Sequence, residues 1–136
     1  MRVLILCTGN SARSQMAEGL LRSMADEGST IASAGTRPVG LNPLAVKAMQ
    51  EIGIDISSQR SKSVAEFDGQ RFDTVITVCD SAAEECPIFP GGTERVHWSL
   101  PDPAAAGGSF EEKLAAFRVV RERLAQHFRE FLDSEK

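Results

Sequence analysis

Near the amino terminus, a nucleophile and a rigid cation bracket a short polar run, Cys7-Thr8-Gly9-Asn10-Ser11-Ala12-Arg13-Ser14. This is a C-x5-R-S pattern. Backbone N–H groups of such a loop converge as an anion nest, and a helix beginning at its end adds the positive pole of its dipole. The amides of Thr8, Gly9, Asn10, Ser11, Ala12, Arg13 and Ser14 are therefore candidates to bind a tetrahedral oxyanion. Arg13 meets two oxygens with its planar fork, which a lysine cannot do. The same field favours the thiolate form of Cys7, its nucleophilic state, and Ser14 can donate a hydrogen bond to that thiolate. Gly9 and Asn10 tolerate the left-handed backbone angles a tight nest requires. Glu18 follows Ser14 by four residues. The bland alternative is a buried cysteine beside a surface arginine. C-x5-R arises by chance, so its place between a strand and a helix carries the functional reading.

The other reactive residues come later. The chain has three cysteines, an odd number, so they cannot all pair within it. Cys79 and Cys86 are candidates for core thiols, metal ligands or catalytic groups. With only two histidines, His97 and His127, and no C-x-x-C pair, a structural zinc site is not expected. Asp102-Pro103 is a common turn pair, but a carboxyl near a bound anion is also a candidate acid.

The elements that must position these residues follow from periodicity. Arg2 to Cys7 is a short apolar run and reads as a buried strand. A helix is expected from Ser11 or Ala12 to Asp26, with Met16, Leu20, Leu21 and Met24 on one face. A second strand is expected over Thr30 to Ala34. Asn42-Pro43 opens a helix as N-cap and first helical residue. Val46, Met49 and Ile52 continue its face. A short helix over 63–68 precedes a third strand, Asp73 to Cys79. One helical turn, Ser81 to Glu85, is broken before Pro87. Glu94 to Trp98 is a weaker strand, and 99–109 is a loop rich in Pro, Gly and Ala. The last helix runs from Phe110 to Leu132, with Phe110, Leu114, Phe117, Val120, Leu124, Phe128 and Phe131 spaced by three or four. This alternation predicts an α/β fold, a four-stranded parallel sheet flanked by helices. Ligands of such sheets sit at the carboxyl ends of the strands. Cys7, Cys79 and the 99–109 loop are thereby sent to one edge.

The bulk properties agree. At 136 residues and 42% hydrophobic, the whole chain, 1–136, is expected to be a single domain. The net charge of -4 lacks the basic footprint of a nucleic-acid binder. No run approaches the ~18 apolar residues of a membrane span, and Val3-Leu4-Ile5-Leu6 is too short for a secretory signal. A cytoplasmic monomer is the expectation.

The segment C-T-G-N-S-A-R-S-Q-M-A-E-G from Cys7 resembles the loop and helix of the low-molecular-weight protein tyrosine phosphatase superfamily. Within it, the likeness is closest to the thioredoxin-coupled arsenate reductases. It extends through Ser33-Ala34-Gly35, Leu41-Asn42-Pro43, Gly53 to Ser57, V-C-D-S-A-A-E-E-C-P from Val78, His97-Trp98 and Asp102-Pro103.

The resemblance implies reduction of arsenate to arsenite with no cofactor, phosphate or sulfate competing for the site. Cys7 is the implied nucleophile and Arg13 the oxyanion clamp. Asp102 is the acid, and Asn10 and Ser33 brace the loop. Cys79 and Cys86 match the reductases' relay pair, regenerated by thioredoxin or a glutaredoxin-like reductant. Were 79–86 helical, seven rises of ~1.5 Å would part the two Cα atoms by ~10 Å, beyond the ~4.4–6.8 Å of a disulfide. Their bonding therefore requires the segment to unwind. Some members bind a potassium ion near Asn10, Glu18, Ser33 and an aspartate. Lys62 stands at the aspartate's position, so no metal site is expected. The rival readings are a tyrosine phosphatase using Cys7, Arg13 and Asp102 alone, and a non-catalytic oxyanion or redox sensor. Ala104-Ala105-Ala106, where phosphatases place aromatics, weighs against the first.

Overall fold

The structure is a computed structural model, and it describes residues 1–86, 89 and 93–135. Four strands form one parallel sheet: β1 (Arg2–Cys7), β2 (Thr30–Gly35), β3 (Thr74–Thr77) and β4 (Glu94–His97). The helices are α1 (Arg13–Met24), α2 (Pro43–Gln50), α3 (Asp80–Glu85) and α4 (Phe110–Ser134), with short 3-10 turns at Val64–Phe67 and Pro103–Ala105. Val3 to Leu6 are fully buried because β1 is central, paired with β2 on one side and β3 on the other. That is why its sequence is continuously apolar rather than alternating.

The spatial strand order is β2-β1-β3-β4. The chain leaves β1 toward one edge and later returns on its other side. The crevice between the ends of β1 and β3 is thus the topological switch point, where open α/β sheets bind ligands. Cys7 ends β1, and Cys79 lies two residues past the end of β3.

Some boundaries differ from the sequence expectation. α1 begins at Arg13 and stops at Met24, because Gly9 to Ala12 are committed to the loop. The β3 ladder ends at Thr77. Val78 N–H still reaches the Leu6 carbonyl (2.9 Å), and β1 itself ends one residue later at Cys7. Ile52 is exposed, since α2 ends at Gln50 and the chain turns. Phe110 is exposed as well: it is the first residue of α4 and overhangs the packed face. Pro87 lies outside the described residues.

α4 is held at its start by a capping box, Ser109 with Glu112. It buries Leu114, Phe117, Val120, Leu124, Phe128 and Phe131. Burying each such side chain is worth about 1.5–3 kcal/mol. Arg118 and Arg121 of α4 both reach Glu51, just past α2 (2.6 and 3.0 Å). Among the described residues, no helix is long and apolar enough to cross a membrane.

Gly35 ends β2 directly beside Cys7. A Cβ there would lie 2.5 Å from the Thr8 carbonyl oxygen and 2.8 Å from the Asn10 nitrogen, both backbone atoms that cannot step aside cheaply. Gly35→Ala is expected to cost about 1–3 kcal/mol, a fall in Tm of about 3–10 °C, read by thermal circular dichroism. An unchanged Tm would show that the loop yields freely.

Candidate active site

The Cys7–Ser14 loop leaves β1 and enters α1. Asn10 is fully buried with a left-handed φ of 45°. Its backbone N–H thereby points back and donates to Cys7 Sγ at 3.2 Å. The Asn10 side chain is saturated. Its Nδ2 donates to Ser14 Oγ (2.7 Å) and Ser33 Oγ (3.0 Å), while its Oδ1 accepts from Gln15 Nε2 (3.0 Å) and the Lys62 N–H (2.8 Å).

Proton directions follow from this. Ser14 Oγ accepts from Asn10, so its own proton is free for Cys7 Sγ, 2.8 Å away. Ser33 likewise accepts from Asn10 and donates to Glu18 Oε1 at 2.7 Å. Two acidic groups, the Cys7 thiol and the Glu18 carboxyl, thus share one donor hub.

α1 has no side-chain cap at Ala12 and no acidic residue in its first turn. By contrast α2, α4 and both 3-10 turns are capped by Asn42, Ser109, Ser63 and Asp102. The first-turn amides of α1 are therefore left for an external acceptor.

Arg13, the first residue of α1, donates from Nη1 to the Leu100 carbonyl at 3.0 Å. That contact ties the loop carrying Asp102 to the nest. Cys7, Arg13 and Asp102 all line one cleft of 230 Å³, with Val39 and Ala104 as apolar walls. Asp102 Oδ1 accepts the Ala104 N–H (3.0 Å), which fixes the carboxyl at the start of its 3-10 turn.

Cys79 is buried, and its sulfur lies 3.3 Å from Thr8 Oγ1. The second thiol thus touches the loop of the first. Cys79 and Cys86 flank the six-residue α3 as its N-cap and C-cap, and none of the three cysteines is in a disulfide. Cys86 is half-buried. Burial pushes its thiol above the ordinary value, with Arg95 partly opposing.

Beside the Glu18 carboxylate the chain carries its own cation. Lys62 Nζ lies 3.7 Å from Glu18 Oε1. Burial lowers its pKa and the Glu18 charge opposes that fall. The donor set therefore does not fit a monovalent metal. Among the described residues, no group of three His, Cys, Asp or Glu side chains could hold a metal ion.

Sequence reasoning missed Gln15 and Gln59. Gln15 is fully buried in α1, donating to the Asn10 and Arg60 carbonyls (3.0 and 3.1 Å). Gln59 Nε2 in turn donates to Gln15 Oε1 at 2.8 Å. A polar residue beside an apolar helical stripe gives no signal of burial. Also missed was a Thr77–His97–Asp80 chain beside Cys79, in which His97 reaches Thr77 Oγ1 (2.7 Å) and Asp80 Oδ1 (2.9 Å).

The family model for low molecular weight phosphotyrosine protein phosphatase matches residues 2–136. An arsenate reductase of Halalkalibacterium halodurans is 47% identical over 134 residues, covering 98% of this chain and 96% of that one. Among solved structures, an arsenate reductase in its oxidised state superposes with a TM-score of 0.82 at 28% identity, covering 99% and 98% of the two chains. A thioredoxin-dependent arsenate reductase of Corynebacterium glutamicum gives 0.75 at 27% identity, covering 98% of this chain and 60% of the other.

The raised Cys86 value has a direct consequence. A thiol whose pKa is raised holds its proton to higher pH, so its reactive thiolate is scarcer at neutrality. Alkylation of Cys86, followed by peptide mapping against pH, is expected to show a midpoint above the ~8.5 of free cysteine. Unfolding in denaturant should bring that midpoint down. A midpoint below the free value in the folded protein contradicts the burial.

Proposed function

The chain belongs to the low molecular weight phosphotyrosine protein phosphatase family, and from that premise we propose that it reduces arsenate to arsenite by a three-cysteine relay. The observation that carries this reading is Cys79 Sγ at 3.3 Å from Thr8 Oγ1. Phosphate-ester hydrolysis needs one thiol, whereas a two-electron reduction that ends in a disulfide needs a second within reach of the first.

In this reading, arsenate sits in the nest on the loop amides and Arg13. The Cys7 thiolate attacks arsenic, and Asp102 protonates the departing oxygen, which leaves as water. Cys79 then attacks the Cys7 sulfur. The S–As bond breaks with its electron pair going to arsenic, so As(V) becomes As(III) and leaves as arsenite, while the two sulfurs join. Cys86 next attacks Cys79, freeing the Cys7 thiolate and leaving a Cys79–Cys86 disulfide for an external dithiol to reduce. The arsenate reductases among the relatives support arsenate as substrate, and the Corynebacterium glutamicum neighbour supports thioredoxin as that dithiol. A glutaredoxin-like donor is the alternative, and either belongs to a reducing cytoplasm.

Cys7, Arg13 and Asp102 share one cleft, which also suits phosphate-ester hydrolysis as a slow side activity. The wall after Asp102 is Ala104, which offers an aryl ring little surface to stack on.

Arg13→Lys keeps the charge and loses the fork. It is expected to lower kcat/KM for arsenate at least about 30-fold, from the loss of a bidentate charge-assisted contact. A near-normal value in a thioredoxin-coupled NADPH assay would remove Arg13 from oxyanion binding.

Cys86→Ser should release about one arsenite per protein and stop as a Cys7–Cys79 disulfide visible by peptide mapping. Cys79→Ser should release none above background. Sustained turnover by Cys86→Ser with thioredoxin as sole donor would sink this order.

A further inference from the structure

His97, though part of the resemblance, takes no part in the chemistry above. It is the last residue of β4 and lies in register with Thr77, the last residue of β3. Its Nδ1 is 2.7 Å from Thr77 Oγ1, and its Nε2 is 2.9 Å from Asp80 Oδ1. Asp80 is the first residue of α3, immediately after Cys79. The imidazole therefore closes a ring around the turn Val78-Cys79.

The proton inventory is complete. In the neutral ring, Nε2–H donates to Asp80 and Nδ1 accepts from the Thr77 hydroxyl. In the charged ring, Nδ1–H donates to Thr77, whose proton is then available to the Val96 carbonyl at 3.5 Å. The bridge stands in either state. The His97 hydrogen bond is also the largest of the influences that hold the Asp80 carboxyl below the usual range, with Ser99 and Arg13 adding to it.

The ends of this bridge differ in freedom. His97 is anchored by the β3–β4 ladder. Asp80 belongs to the helix that separates Cys79 from Cys86, and that helix must lose its form before the two sulfurs can bond. At the helical rise, the seven steps from Cys79 to Cys86 span about 10 Å, against the ~4.4–6.8 Å between Cα atoms of a disulfide. Unwinding moves Asp80 while the strand stays.

We infer that Thr77–His97–Asp80 is a latch: His97 is a positioning residue that holds the start of α3, and with it Cys79, in the dithiol state, and its bond to Asp80 breaks when Cys79 and Cys86 form their disulfide. This inference rests on the relay proposed above. A contact present only in the dithiol form favours that form, so removing it shifts the pair toward disulfide.

The test uses a Cys7→Ser background, in which Cys79 and Cys86 are the remaining thiols. The protein is equilibrated in reduced and oxidised glutathione, where two glutathione thiols exchange for one protein disulfide. The disulfide fraction is then read by acid quench and alkylation mass. Asp80→Ala and His97→Phe are each expected to move the equilibrium constant at least about threefold toward disulfide, the scale of an exposed hydrogen-bonded pair. Their combination should move it no further than Asp80→Ala alone, because that change already removes the His97 contact together with those of Ser99 and Arg13. Glu51→Gln, which breaks the pair with Arg118, should leave it unchanged.

An unmoved constant in both single variants overturns the latch. So do additive effects in the double variant, an equal shift from Glu51→Gln, or failure to form a Cys79–Cys86 disulfide at any buffer ratio. The readout needs no arsenate. If the coupled shift appears while the same chain with Cys7 restored fails to reduce arsenate, the proposed substrate is lost and the latch stands. If the chain with Cys7 restored turns over arsenate and the shift is missing, the latch alone is lost.

Discussion

The left-handed turn at Asn10 is the constraint on which the site depends. A non-glycine residue in that region costs about 1–2 kcal/mol. Here the cost is offset by a buried side-chain amide whose two donors and two acceptors are all engaged, by Ser14, Ser33, Gln15 and Lys62. Each such bond contributes about 0.5–1.5 kcal/mol net. The turn in exchange aims the Asn10 N–H at Cys7 Sγ and frees the Ser14 proton for the same sulfur. Partial satisfaction would be worse than none, since an orphaned polar group in this interior costs more than the bond returned. That explains why Gln15, Gln59 and Lys62, none of which line the cleft, are drawn into the same network.

Around that fixed turn, the fold withholds stabilisation where chemistry needs open valence. α4 has a full capping box and α2 an asparagine cap. α1 and α3, which follow Cys7 and Cys79, have no side-chain cap. An uncapped helix start forgoes about 1 kcal/mol. At α1, neither a side-chain cap nor a first-turn carboxylate meets the helix start. At α3, the missing cap leaves a helix of six residues that tertiary contacts must hold, because so short a helix has little stability of its own. In the proposed relay, order around Cys7 and weakness in the segment after Cys79 would serve one reaction.

Much of this was legible in the chain. The continuous apolar run of β1, the Asn42-Pro43 start of α2 and the three-four spacing of α4 each follow from local rules, and each element is present. So is the C-x5-R-S loop between strand and helix, since its residue types are those a nest requires. Ile52 and Phe110 were misplaced on buried faces, because periodicity extends past a helix end that only the turn geometry sets. Gln15 and Glu18 were unreadable as buried residues. Besides Asn10 and Arg22 nearby, their partners come from Ser33 and from the Gln59–Lys62 segment, distant in sequence.

The sequence by itself thus determined the elements, the parallel sheet and the identity of the reactive groups, because helix period, strand burial and loop chemistry are local properties. Only the tertiary structure decided which groups meet. The order β2-β1-β3-β4 puts the ends of β1 and β3 side by side, which brings Cys79 to the loop of Cys7. The pairing of Thr77 with His97 closes the bridge to Asp80. Those contacts span 71, 20 and 17 residues of chain. Nothing in the intervening sequence encodes them locally. They exist because a twisted parallel sheet with its crossovers permits few strand orders, and burial of the common core selects one.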